Sequence, residues 1–278
     1  MVSLPQFVGT VELRPTFTPR PQISHVVFDF DGTLSWLRHG WPEMMFQVFR
    51  EVFPARAGES EGAIHDLLIN LILSLNGKPT IFQMIRFADL VAERGGARPD
   101  PEALRQEYQR RLDVAIAERS GRILVGRATP DDFVVHGSRM LLEKLRHARI
   151  TPVILSSTVE ERVREEAALL GLSRYFGEHI YGGTGDASKF SKMDVFNRLL
   201  RSEGITGLHL LSFGDGPVEI ANTKELGGLA IAVCSDEHHN GSGMLDPFKQ
   251  RQLLDAGADA AIPDYRDALA LMDYLLAR

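Results

Sequence analysis

Five short apolar runs, separated by stretches of helical periodicity, constrain this chain most. They are HVVF (25–28), TPVIL (151–155), GLHLLSF (207–213), LAIAVC (229–234) and ADAAI (258–262). An apolar run of this length, bounded by turn or polar residues, reads as a buried strand. Between them the spacing changes to three and four. Ser138 to Arg149 carries Met140, Leu141, Leu142 and Leu145, and Val159 to Leu170 is a helix stopped by Gly171. A further helix runs through Val195, Phe196, Leu199 and Leu200. Strands alternating with helices predict an α/β fold, a mostly parallel sheet covered on both faces.

The alternation is interrupted once. From Ser35 to about Gly126 only helical spacing occurs: Trp41, Met44, Met45, Val48, Phe49 and Val52, then Ile64, Leu67, Leu68, Leu71 and Leu75. After the turn Asn76-Gly77-Lys78-Pro79-Thr80 come Ile81, Met84, Ile85, Ala88 and Val91, and Asp100-Pro101 opens another helix through Leu104, Tyr108, Leu112 and Ile116. The expected organisation is a lead-in over 1–22, which holds four prolines, a core of 23–34 with 127–278, and a helical insertion over 35–126.

The strand ends carry the chemistry. HVVF runs into Asp29, Asp31 follows two residues later, then Gly32-Thr33. Open α/β sheets place ligands at the carboxyl ends of their strands. Two carboxylates so close repel and are costly to bury, and a divalent cation beside them supplies the missing partner. The second strand ends in Leu155-Ser156-Ser157-Thr158 before a helix, where a hydroxyl and free backbone N–H groups make an anion site. Ser156 is the first choice there and Ser157 the second. Lys192 leads the apolar face of Val195, Phe196 and Leu199 and so points inward, while Lys189 precedes the helix with no fixed direction. The third strand ends in Gly214-Asp215-Gly216-Pro217-Val218-Glu219.

The first stretch resembles the opening motif, D-x-D-G-T, of the haloacid dehalogenase-like hydrolases, and the other three pieces resemble that family's later motifs in order. The resemblance implies a Rossmann-like core with an all-helical cap inserted after the first motif, a cap that closes over the site and selects substrate. It makes Asp29 the nucleophile, forming an aspartyl phosphate, and Asp31 the general acid and base. Ser156 (or Ser157) and Lys192 (or Lys189) would hold the phosphoryl group. Mg²⁺ would be bound by Asp29, Asp215 and the Asp31 main-chain carbonyl, with Glu219 acting directly or through water. Asn76, Lys78, Thr80 and Gln83 in the cap turn are candidates for reading substrate hydroxyls.

Asp31 argues against a dehalogenase or phosphonate hydrolase of this family, both of which lack that acid. The expectation is a phosphomonoester phosphatase for a small phosphorylated metabolite, such as a sugar phosphate. A phosphosugar mutase or a silent phosphometabolite-binding protein are the alternatives. A net charge of -6 argues against a nucleic-acid partner, and no apolar run reaches the roughly 18 residues that span a bilayer. One cysteine, Cys234, sits in an apolar run and is expected as a core thiol; with no leader pattern at the amino terminus, this suggests a cytoplasmic protein. Asp236, Glu237, His238 and His239 are expected in a solvated loop, and Gly182-Gly183-Thr184-Gly185-Asp186 in a flexible one.

Overall fold

A computed structural model describes residue 7 and residues 11–76, 78–183 and 190–277. The chain forms two compact units, Met1–Leu37 with Ile123–Arg278, and Arg38–Arg122.

The first unit is built on strands β1 (Glu12–Leu13), β2 (His25–Phe28), β3 (Thr151–Val159), β4 (Ile180–Gly183), β5 (Leu210–Gly214), β6 (Leu229–Val233) and β7 (Ala260–Ile262). They make one seven-stranded sheet in the order β1-β7-β6-β5-β2-β3-β4. Every pairing is parallel except β1 with β7. The sheet is mostly parallel, as the alternation predicts. Parallel strands buried on both faces need continuous apolar sequence, and β2, β5, β6 and β7 are buried at every position.

The second unit holds α1 (Trp41–Val52), α2 (Glu61–Ser74), α3 (Ile81–Glu93) and most of α4 (Pro101–Leu124). Its core joins Met45, Phe49, Leu68, Met84 and Phe87, with the Phe49 and Phe87 rings stacked at 3.9 Å. Ser60 starts α2 by accepting the Ala63 N–H. Val52 and Ile85, which the periodicity placed on the buried face, are exposed. The first unit's helices are α5 (Ser138–Ala148), α6 (Glu160–Leu169), α7 (Ser173–Phe176), α8 (Lys192–Glu203), α9 (Pro217–Glu225), α10 (Pro247–Asp255) and α11 (Ala268–Leu275). Met140, expected on the apolar face of α5, is also exposed.

Two strands lie outside the sequence reading. β1 is two residues at the sheet edge, too short for a pattern. β4 contains Gly182 and Gly183, residues depleted in strands. Here they are needed: a Cβ on Gly182 would lie 2.4 Å from the Glu160 Cα, and one on Gly183 would lie 2.8 Å from the Ser157 carbonyl oxygen. This corrects the flexible-loop expectation for Gly182 and Gly183; Thr184, Gly185 and Asp186 lie outside the described residues.

The sheet's register places the site. Phe28 pairs with Ile154 on one side and Phe213 on the other, so β2, β3 and β5 end at one edge. Phe28, Phe213 and Tyr265 pack against each other beneath that edge. Cys234 is fully buried, and burial pushes its thiol well above the ordinary value.

His25 begins β2 and is 6% exposed. Its Nδ1 pairs with the Ser24 hydroxyl, and its Nε2 has no hydrogen-bond partner among the described residues. Burial lowers its pKa; Glu203 opposes this, and His179 and His209 reinforce it. The unfolded chain therefore binds a proton at His25 before the folded protein does, and stability falls as pH drops below about 6.5. His25→Gln should flatten this part of the stability curve. Urea denaturation of both proteins at pH 7.5 and 5.5 checks it: an equal loss in each would show that His25 is not the cause.

Candidate active site

Asp29 leaves β2 with its backbone N–H still in the ladder, donating to the Phe213 carbonyl at 3.0 Å. The loop after it is held by its own backbone: Leu34 and Ser35 donate to the Phe30 carbonyl, and Gly32 donates to Ser35. Phe28 and Phe30 are both fully buried and belong to the core. Gly32 has φ +72°, and a Cβ there would stand 2.0 Å from Asp215 Oδ2. The sequence needs glycine at this point for its backbone and for the carboxylate that packs on it. Gly32→Ala should displace Asp215 and lower turnover by roughly 100-fold with the sheet intact. Near-normal rates would show that the loop yields at little cost.

Lys192 is the first residue of α8, capped by Ser191, whose Oγ accepts the Asp194 N–H. Its Nζ lies 3.0 Å from Asp29 Oδ2 and 3.1 Å from Glu219 Oε2. Burial lowers the pKa of this lysine, but the two carboxylates outweigh it and hold the pKa above the ordinary value. Burial pushes Asp29 the other way, up to about 7, against the pull of Lys192. Asp215, at the end of β5, is raised well above the usual carboxylate range by burial, with Lys249 opposing. The Thr33 hydroxyl approaches Asp215 Oδ1 at 3.4 Å. Glu219 enters from the first turn of α9, where its Oε1 accepts the Gly216 N–H at 2.6 Å.

Asp29, Asp215 and Glu219 each offer a carboxylate oxygen, and these oxygens lie within 4.8 Å of one another. Three carboxylates this close, two of them buried and Asp29 partly exposed, repel one another, and a cation among them offsets the repulsion. The oxygen-only donor set suits a hard divalent ion such as Mg²⁺. Among the described residues this is the one such cluster, and the Asp31 side chain stands outside it. Asp31 Oδ2 instead accepts the Thr158 hydroxyl at 2.8 Å.

Ser156 is not at a helix start as the sequence suggested. β3 runs on to Val159, its pairing with β4 shifts between Leu155 and Val159, and α6 begins only at Glu160. Ser156 is buried, its Oγ accepts the Thr158 N–H at 3.1 Å, and Ser157 is exposed. Lys189 lies outside the described residues. In the second unit, Asn76 and Thr80 are half-buried and Lys78 is exposed. Gln83 is 3% exposed and donates to the Ile72 carbonyl, an internal tie between α2 and α3.

Sequence reasoning missed two neighbours of the site, Thr158 and Lys249. Thr158 is the last of three successive hydroxyl residues, with nothing local to set it apart. Lys249 carries no signal in sequence at all. The loop expected to be solvated also needs correction. Glu237 is mostly buried and pairs with Lys249 at 2.6 Å, whereas Asp236 accepts the His238 and His239 backbone N–H groups in a turn.

A family model for haloacid dehalogenase-like hydrolases matches residues 23–227. The chain therefore belongs to the haloacid dehalogenase-like hydrolase family. No curated protein matches it. Solved structures share the fold at low identity. A haloacid dehalogenase-like protein of unknown function from Agrobacterium tumefaciens aligns with TM-score 0.63 at 17% identity, over 90% of this chain and 97% of that one. A predicted phosphoglycolate phosphatase from Haemophilus somnus gives 0.59 at 16%, over 90% and 98%. A family hydrolase from Deinococcus radiodurans, solved with bound phosphate and sodium, gives 0.58 at 18%, over 92% and 98%. No helix among the described residues is long and apolar enough to cross a membrane.

Proposed function

We propose that this hydrolase cleaves a phosphomonoester of a small metabolite, such as a sugar phosphate, through an aspartyl phosphate on Asp29. The observation that carries the reading is the buried Lys192 ammonium bridging Asp29 and Glu219, with Asp215 alongside. A carboxylate beside a fixed cation, in a cluster that suits a metal ion, is equipped to meet a dianionic phosphoryl group.

Asp29 attacks phosphorus as the bond to the leaving oxygen breaks. Lys192 neutralises charge on the phosphoryl oxygens. Asp31 gives its proton to the departing alkoxide, then takes one from the water that attacks the aspartyl phosphate, releasing inorganic phosphate and restoring Asp29. Ser156, in the last part of β3 with its Oγ accepting the Thr158 N–H, would be a further phosphate ligand, with Ser157 as the alternative. Mg²⁺ would be held by Asp29, Asp215 and the Asp31 carbonyl. Glu219, whose two oxygens already serve Gly216 and Lys192, would assist through water. When bound there, the ion would supply charge neutralisation in the transition state. The helical unit is read as the cap that selects substrate, with Asn76, Lys78 and Thr80 as candidate contacts. The lone buried thiol fits a cytoplasmic setting.

The test is phosphate release from p-nitrophenyl phosphate and a panel of sugar and small-acid phosphates, with and without Mg²⁺. Transfer of the phosphoryl group to sugar instead of water would establish the mutase. Tight binding without turnover would establish the silent binder. Asp31→Ala sharpens the test. Nitrophenolate leaves without a proton, so in the first turnover, before water attacks the aspartyl phosphate, its release should fall far less than that of an alkyl alcohol, by a margin of roughly 10²-fold. Equal losses on both esters would remove Asp31 from the acid role.

A further inference from the structure

Lys249 is buried as completely as Lys192, yet it belongs to none of the four stretches that resemble the family's motifs. It lies in the first turn of α10, and its side chain is 3% exposed. The helix start is pinned from both sides. Asp246 Oδ1 accepts the Phe248 and Lys249 N–H groups, and the Asp246 N–H donates to the Cys234 carbonyl at the end of β6. Leu253, four residues on and on the same face, is fully buried against the sheet. The lysine is thus fixed at its backbone and aimed at the carboxyl edge.

Its ammonium meets four groups there. Glu237 Oε1 is at 2.6 Å, the Ser235 carbonyl and hydroxyl oxygens are each at 3.3 Å, and Asp215 Oδ2 is at 3.5 Å. The Ser235 hydroxyl in turn donates to the Gly32 carbonyl at 2.9 Å, and the Gly32 backbone packs directly on Asp215 Oδ2. Asp215 is therefore bounded by Thr33 at one oxygen, and by Gly32 and Lys249 at the other.

We propose that Lys249 is a positioning residue for the divalent cation: it orients Asp215 for ligation without capturing it. The proposal rests on the metal-site reading above. Glu237 is the element that makes it work. A buried lysine facing one carboxylate alone would close on it and compete with a metal ion. Held at 2.6 Å by Glu237, the ammonium remains 3.5 Å from Asp215, close enough to set the carboxylate's direction and too far to occupy its oxygens. Partners that orient a ligating carboxylate in this way change metal affinity by about 10–100-fold when removed.

The test uses the full chain and Mg²⁺ itself, titrated by calorimetry. Lys249→Met combined with Glu237→Gln removes one positive and one negative charge, so the net charge of the site is unchanged and neither partner is left buried alone. The double variant should melt close to the wild type and bind Mg²⁺ about 10-fold or more weakly. Its turnover should require correspondingly more Mg²⁺ and recover at saturation, a split that a general loss of packing would not produce. A dissociation constant within about threefold of the wild type, on the scale of that same effect, would overturn the role of Lys249 and leave the site reading standing. Absence of Mg²⁺ binding by the wild type would overturn both. If the double variant does not fold, Lys249→Arg decides. It keeps the charge and changes its reach, so weaker Mg²⁺ binding supports the proposal and unchanged binding overturns it.

Discussion

Asp29→Asn should lower phosphate release by about 10⁴-fold or more while leaving the fold intact. An amide offers no anionic oxygen to attack phosphorus, so no aspartyl phosphate forms. The substitution is nearly isosteric. The Phe30 N–H, which now donates to Asp29 Oδ1, still finds an amide oxygen to accept it. The contact with Lys192 weakens, but the cost of burying a carboxylate, which pushes Asp29 up to about 7, disappears with it. Thermal melts should therefore lie close together while turnover collapses. Residual activity above about 1% of the wild type, far over what nucleophile loss permits, would exclude covalent catalysis by Asp29.

Lys192→Met should damage stability and activity together. The ammonium is shared by Asp29 and Glu219, and the three side chains are 5%, 14% and 4% exposed. Removing one partner from a buried ion cluster leaves charge uncompensated, and costs about 3–5 kcal/mol. Loss of a fixed cation facing the phosphoryl oxygens should lower turnover by about 10²–10³-fold. The two effects separate with metal. Saturating Mg²⁺ stabilises whatever fold binds it and should recover part of the lost stability, but not the rate. Denaturant unfolding with and without Mg²⁺, beside turnover of p-nitrophenyl phosphate, reads both. A variant as stable as the wild type without metal would show that Asp29 and Glu219 do not depend on Lys192.

Much of this architecture could be read before any coordinates. The strands over 25–28, 210–214, 229–233 and 260–262 stand out because both their faces are buried, which demands unbroken apolar sequence. Asp29 and Asp215 stand out because each breaks such a run at its carboxyl end. Lys192 points inward because its helix carries a clear apolar stripe through Phe196 and Leu199. Ser156 was placed less well. Its strand continues to Val159, and nothing in a run of hydroxyl residues marks where extension gives way to helix. Gln83 shows a similar limit. A polar residue beside a turn looks available, yet this one satisfies the carbonyl at Ile72, near the end of α2.

By itself, the sequence determined the class of fold and which residue types stand at the strand ends. These are local properties: periodicity reports which face is buried, and glycine, proline and carboxylates report where the chain turns. Only the tertiary structure decided who meets whom. The order β5-β2-β3 brings Thr33 to Asp215 across 182 residues of chain, and Thr158 to Asp31 across 127. Lys249 reaches Asp215 and Glu237 from a helix whose own sequence gives no sign of a site. Such meetings depend on strand order and register, which arise from the packing of the whole sheet, so no local pattern contains them.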